Sequence, residues 1–426
     1  MKEMVEALKE LIAIESISDA RNAGTEEAPF GPEVRRALDY CLKLSKELGF
    51  RTKRCGNYTG YAEIGQGQRL IGVLVHLDVV PAGDGWETDP FTAVVKDGRI
   101  YGRGAQDDKG PAMAALYAMK DLMDSGELLD KRIRIIFGCS EENGEWTDIQ
   151  YYKETEELPD AGFTPDADFP LIYGEKGIAE IEITMDRAHA GLEGGQGGEA
   201  LNVVPSQCTV QVKDKSGHVE TVSCRGQAAH ASTPEKGVNA IGLVMEKLDR
   251  WNGEGRCDCR FADFYMRRFG HTTDGSLAGC HLKDMESGEI TINPGLLSMD
   301  KDNVTLKLDI RYPVSFTGEE VLKRLRDGLD GEPVQIRMTY DEAPMFMDPD
   351  SPMIQELLDA YCEITGDDSP PTVMGGGTYA KAMKNIVAYG PVFPGKLCSE
   401  HESNEYIEWE DLQKAREIYR LALSRL

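Results

Sequence analysis

Positive charge is what this sequence most lacks. Its 47 Lys and Arg stand against 74 Asp and Glu, a formal net charge of −27 at pH 7. Binding a duplex or an RNA requires basic surface that displaces phosphate counterions, so nucleic acid is excluded as a partner. An anionic membrane surface repels the chain for the same reason. Long apolar runs are missing as well: no window approaches the roughly 18 consecutive apolar residues of a membrane span. The opening MKEMVEALKELIAIESIS carries Glu3, Glu6 and Glu10 and has no long apolar centre, so it does not read as a signal peptide. None of the ten cysteines forms a Cys-x-x-Cys pair, which argues against a zinc ribbon or a thioredoxin motif. Cys257 and Cys259 lie close together, but no second pair accompanies them, and they read as unrelated thiols. Free thiols without a leader point to a cytoplasmic protein. Internal repeats and low-complexity tracts are also absent.

What is present is an ordinary globular composition, 41% apolar and 28% charged. Val5, Leu8, Leu11 and Ile12 share one helical face and predict a helix over 2–13, followed by another over 32–49. LIGVLV (70–75) and RIRIIF (132–137) are apolar runs of strand length. The first ends at His76, the second just before Ser140-Glu141-Glu142. Between them Pro111 suits the first turn of a helix and Gly126 its C-terminal cap. Strand, loop, helix and strand at this spacing predict an α/β domain with a mostly parallel sheet flanked by helices. Ligands of such sheets sit beyond the carboxyl ends of the strands, where His76 and the Glu pair fall. From about 179 the texture becomes α+β. Strands are expected at 208–214, 303–313 and 334–340, helices near 237–252 and 318–329, and a loop tip at 191–198. The α/β pattern returns after Pro344, with a helix at 351–364 and a last helix whose Leu412, Ala415, Ile418, Tyr419 and Ala422 share a face. The expected organisation is a catalytic domain over 1–178 and 345–426, interrupted by an α+β lid over 179–344.

Several clusters carry chemistry. His76 ends a strand, with Asp78 two residues on to orient a ligand imidazole. Asp107 and Asp108 precede a helix; adjacent like charges are costly unless a cation sits nearby. Glu141 and Glu142 can divide metal binding from base catalysis. PDADFP (165–170) offers Asp166 and Asp168, and CSEHESNE (398–405) offers His401. Each cluster alone has a plain structural explanation. Together, two imidazoles and three carboxylates suit a pair of divalent ions about 3.5–4 Å apart with a shared carboxylate. Zinc fits best, and manganese or cobalt also fit.

These segments together resemble the co-catalytic metallopeptidase superfamily of carboxypeptidase G, aminoacylase and succinyl-diaminopimelate desuccinylase. The motifs are HLD (76–78), GRGAQDDKG (102–110), SEE (140–142), GQAAHASTPEKGVNA (226–240), LDIRYP (308–313), GGGTYA (375–380) and SEHESNE (399–405). Within that superfamily VVPAGDGWETDPF (79–91), GFTPDADFPLIYGEKG (162–177) and GGGTYA look most like the bacterial dipeptidases that cleave Xaa-His or β-Ala-His. The resemblance implies that Asp107 bridges two metals. It implies that His76 and Asp166 complete one coordination sphere, and Glu142 and His401 the other. Asp78 would anchor His76, Glu141 would be the general base, and His230 would stabilise the oxyanion. A cis peptide is implied at Asp107-Asp108. Arg311 resembles the family's carboxylate-binding arginine, with Asn202, Gly376, Gly377 and Thr378 as further substrate contacts. The implied substrate is a small dipeptide and the implied assembly a monomer or a homodimer. An N-acyl-amino-acid deacylase is the alternative enzyme, and a non-catalytic metal- or peptide-binding protein the alternative of another class.

Overall fold

A computed structural model of the protein describes residues 3–18, 24–126 and 129–426. The chain divides into two compact units. One comprises Met1–Tyr173, Met347–Thr372 and Thr378–Leu426; the other Gly174–Phe346 and Val373–Gly377.

The first unit is built on a mixed sheet with a parallel centre. Leu70–His76 lies between Arg132–Gly138 and Ala161–Thr164 and runs parallel to both, and Ile386–Ala388 continues the parallel set. Thr59–Gly65 and Arg51–Cys55 extend the sheet antiparallel beyond Arg132–Gly138. All seven residues of Leu70–His76 are buried, as expected of a central strand covered on both faces. The helices Met4–Ile12, Pro32–Glu47, Lys109–Asp124, Pro352–Thr365 and Trp409–Arg425 pack their apolar stripes into one core with the sheet. Lys2, the first residue of the expected opening helix, lies outside the described residues. Pro111 stands in the first turn of Lys109–Asp124, where a missing N–H costs nothing. Leu412, Ala415, Ile418, Tyr419 and Ala422 are the buried stripe of the last helix.

The second unit is a seven-stranded antiparallel sheet. Its order is Val219–Arg225, Gln207–Lys213, Gly194–Gly197, Thr291–Met299, Asn303–Tyr312, Gly177–Asp186 and Val334–Glu342. Helices Ala240–Gly253, Arg260–Arg268 and Gly318–Gly328 share its core. Thr317 and Glu320 close a reciprocal capping box at the start of the last of these. Two features depart from the sequence reading. The expected loop tip at 191–198 contains Gly194–Gly197, an internal strand paired with Gln207–Lys213 on one side and with Leu297 on the other. Glycine here serves close approach: a Cβ on Gly195 would lie 2.3 Å from the Thr209 carbonyl oxygen. The helix Arg260–Arg268 was not anticipated, although Phe261, Phe264 and Tyr265 recur at helical spacing and are buried.

Candidate metal centre

The first unit gathers its chemistry at the carboxyl ends of its parallel strands. Leu70–His76 delivers His76, and the turn after Arg132–Gly138 delivers Glu141 and Glu142. The turn before Lys109–Asp124 delivers Asp107, the turn after Ala161–Thr164 delivers Asp166, and a loop before the last helix delivers His401. His76 Nε2 lies 2.8 Å from Asp107 Oδ1 and 3.8 Å from Asp166 Oδ2. His401 Nε2 lies 3.0 Å from Asp107 Oδ2 and 3.0 Å from Glu142 Oε2. Asp107 therefore presents one carboxylate oxygen to each imidazole. Ligand atoms of His76, Asp107 and Glu142 all fall within 4.8 Å of one another. Asp168 instead is exposed on a two-residue strand that pairs with Pro391–Val392.

Asp78 is fully buried and accepts the backbone N–H groups of Glu141 and Glu142 at 3.2 and 3.1 Å. His76 Nδ1 lies 2.9 Å from the Asp78 carbonyl oxygen and 3.6 Å from its carboxylate. The imidazole is thus oriented from behind, with Nε2 directed at Asp107. The peptide bond between Asp107 and Asp108 is cis. Asp108 accepts the His76 backbone N–H on one oxygen, and its other oxygen is buried without a hydrogen-bond partner.

The electrostatics are those of a cation site. Burial, followed by neighbouring carboxylates, pushes Glu141 and Asp166 well above the usual carboxylate range, although His76 opposes both shifts. Glu142 rises to about 7, again chiefly by burial and then by Asp107. Partial desolvation lowers the affinity of the half-exposed His401 for a proton, but hydrogen bonds to Asp107 and Glu142 outweigh it and raise the imidazole to about 11. So many buried acids are held together only at a cost that a divalent cation relieves. Two imidazoles and three carboxylates are a donor set that fits divalent cations.

Two buried supports were missed by the sequence reading. Asp148 takes the N–H groups of Cys139 and Ser140 and the Tyr379 hydroxyl on one oxygen, fixing the turn that carries the two glutamates. Glu405 takes the N–H groups of Gly104, Gln106 and Asp107 and pairs with Arg103. Both supports lie within or near motifs already singled out, but their partners are 231 and 302 residues away.

The remaining candidates belong mostly to the second unit. His230 is exposed, with Nδ1 2.7 Å from Ser232 Oγ. The Ser232 backbone N–H donates to the same nitrogen at 3.2 Å, so Nδ1 is the accepting nitrogen and Nε2 the one left to donate. The Asn202 carbonyl accepts the Ala231 N–H at 2.9 Å, which ties that segment to the His230 turn. Arg311 is buried, forked onto Asp309 at 2.6 and 2.8 Å, and donates to the Gly375 carbonyl at 3.1 Å. Gly376 and Gly377 belong to the second unit, whereas Thr378 belongs to the first, where its hydroxyl accepts the Ala380 N–H and caps a short 3₁₀ helix.

A cluster of convergent imidazoles and carboxylates at the strand ends, with a further glutamate beside it, defines the centre of a metal-dependent hydrolase. The chain belongs to peptidase family M20/M25/M40, whose family model matches residues 72–425. Curated relatives match along its whole length. "Putative dipeptidase YtjP" of Bacillus subtilis is 34% identical over 456 residues, covering 100% of this chain and 97% of that one. A "Putative dipeptidase" of Staphylococcus epidermidis is 35% identical over 457 residues, with 100% and 97% covered. Among solved structures, human carnosine dipeptidase 1 aligns with a TM-score of 0.61 at 20% identity, covering 99% of this chain and 95% of that one. Aminoacylhistidine dipeptidase from Vibrio alginolyticus aligns at 0.60 and 14%, with 99% and 96% covered. These structural likenesses establish the fold. Among the described residues, no helix is long and apolar enough to cross a membrane.

Proposed function

We propose that the protein is a dipeptidase that hydrolyses short unblocked dipeptides, Xaa-His and β-Ala-His types among them. The observation that carries this reading is Asp107, whose two oxygens address two separate imidazoles while Glu141 stands beside the ligand Glu142. His76 and Asp166 would hold one divalent ion and His401 and Glu142 a second, with Asp107 shared and zinc the best fit. Bound there, the ions supply a Lewis acid for the peptide carbonyl and lower the pKa of the attacking water.

The chain's own groups do the rest. Glu141 takes the proton from the water and passes it to the departing amine; its raised proton affinity suits the second task. Asp78 keeps both glutamate N–H groups and His76 in place. His230, whose Nδ1 accepts the Ser232 N–H, would donate from Nε2 to the developing oxyanion. Arg311 keeps part of its guanidinium uncommitted after Asp309 and Gly375 are served, and would meet the substrate carboxylate with Asn202, Gly376, Gly377 and Thr378. The relatives' names support a dipeptide as substrate, and the ten free thiols suit a reducing compartment such as the cytoplasm.

The test is a panel of dipeptides, tripeptides and N-acetyl amino acids, assayed with zinc and then with a chelator. Dipeptides should be hydrolysed and activity should disappear on chelation. Turnover confined to N-acetyl amino acids would replace the dipeptidase by a deacylase.

A further inference from the structure

Three of the ligand-bearing segments meet at one buried ion pair that contains no ligand. Arg103 and Glu405 are each about 1% exposed at the side chain, and Arg103 Nη1 donates to Glu405 Oε2 at 2.8 Å. The same Oε2 accepts the Gly104 N–H at 3.0 Å. Oε1 accepts the N–H groups of Gln106 at 2.8 Å and Asp107 at 3.2 Å. The other arm of Arg103, Nη2, reaches the carbonyl oxygens of Pro81 and Ala82, in the segment that follows His76 and Asp78. It also reaches the carbonyl of His401 at 3.4 Å. Next to Glu405, Asn404 accepts the Glu87 N–H at 2.7 Å and donates to the Gly85 carbonyl at 3.3 Å. The pair thus ties together the loops that carry His76, Asp107 and His401.

We propose that Glu405 and Arg103 are positioning residues that preset the shared ligand Asp107 and the His401 loop for metal binding. This rests on the metal-centre reading above. A buried ion pair contributes little net stability compared with apolar residues of the same volume, because both charges lose their water. Its value here is directional. A carboxylate has two acceptor oxygens, and Glu405 uses both on N–H donors. A glutamine at 405 offers one oxygen and one NH₂. Arg103 and Gly104 will claim the oxygen, since the guanidinium is charged. The NH₂ then faces the N–H groups of Gln106 and Asp107, donor against donor, and drives Asp107 off its position. Arg103→Lys keeps a charge beside Glu405 but loses the fork that reaches Pro81, Ala82 and His401.

The experiment titrates zinc into metal-free wild type, Glu405→Gln and Arg103→Lys in competition with a chromophoric chelator. The thermal midpoint of each metal-free protein is recorded alongside. Glu405→Gln should weaken zinc binding by about 10–100-fold, as expected for groups that orient metal ligands, and lower kcat more than it raises KM. Arg103→Lys, the milder change, should weaken zinc binding severalfold and remains informative if Glu405→Gln fails to fold. Wild-type zinc affinity in a folded variant overturns the positioning role even where the thermal midpoint has dropped, since that drop marks a purely structural part. Absence of zinc binding by wild type itself overturns the metal-centre reading and this proposal with it.

Discussion

Asp148 allows a sharp test of how the turn bearing Glu141 and Glu142 is built. Its carboxylate is fully buried: Oδ2 accepts Cys139 N–H, Ser140 N–H and the Tyr379 hydroxyl, and Oδ1 accepts Ile149 N–H at 2.7 Å. Burial raises its pKa from 3.8 to about 6, even though the hydrogen bonds pull the other way. The folded state therefore binds this proton more tightly than the unfolded chain does. The associated stability is fully present below about pH 4 and is lost as the pH rises to about 6. Two decades of proton affinity, at about 1.4 kcal/mol each, come to about 3 kcal/mol.

Asp148→Asn removes this titration and keeps the shape. Its amide oxygen can still serve the Oδ2 donors, but its NH₂ opposes Ile149 N–H, a defect worth roughly 1–3 kcal/mol at every pH. Near pH 4 the variant should be less stable than wild type by that amount. By pH 7 the gap should have narrowed by about 3 kcal/mol, so that the two are nearly equal or the variant is ahead. Urea unfolding of both metal-free proteins between pH 4 and 7, with chelator present, reads the difference directly. The acids of the metal centre are common to both and cancel. A gap that stays constant to within about 0.5 kcal/mol across this range would show that Asp148 does not titrate there, and the argument fails.

Four further outcomes are expected. Glu141→Gln should keep the wild-type metal content and lose about 10²–10⁴-fold in kcat; near wild-type turnover would remove it as the base. His230→Ala should lower kcat by about 10²–10³-fold at unchanged zinc stoichiometry, and loss of metal instead would place it among the ligands. Asp166→Asn should weaken zinc binding while Asp168→Asn leaves it intact, a contrast that metal analysis of the two purified variants decides. Hydrogen bonds to carboxylates outweigh desolvation to hold protons on His76 and His401 in the metal-free centre, and Asp166 and Glu142 also hold protons more tightly than free carboxylates, so zinc binding near pH 7 should expel at least two protons. Its affinity should then climb with pH, and calorimetry in buffers of different ionisation enthalpy counts the protons; a heat independent of buffer contradicts the reading.

Part of this candidate centre was legible in the sequence because several of its residues sit where apolar strands end. A run such as LIGVLV has to be buried, and the first polar residue after it, His76, has to emerge at the sheet's carboxyl edge. The same holds for the glutamates that follow RIRIIF. Periodicity likewise gave the buried stripe of the last helix. Gly194–Gly197 was misread as a loop because glycine carries no side chain to display an alternation.

The sequence by itself therefore determined the α/β class, the two apolar strands that end at His76 and just before Glu141 and Glu142, and the types of side chain available to a metal. Tertiary structure alone decided which of them meet. It brought Asp107 between two imidazoles 325 residues apart (401 − 76), and it set Asp166 rather than Asp168 near His76. It also matched Glu405 to Arg103 and Asp148 to Tyr379. The physical reason is that periodicity and propensity are local, whereas a buried charge is made tolerable by partners that only the folded chain supplies.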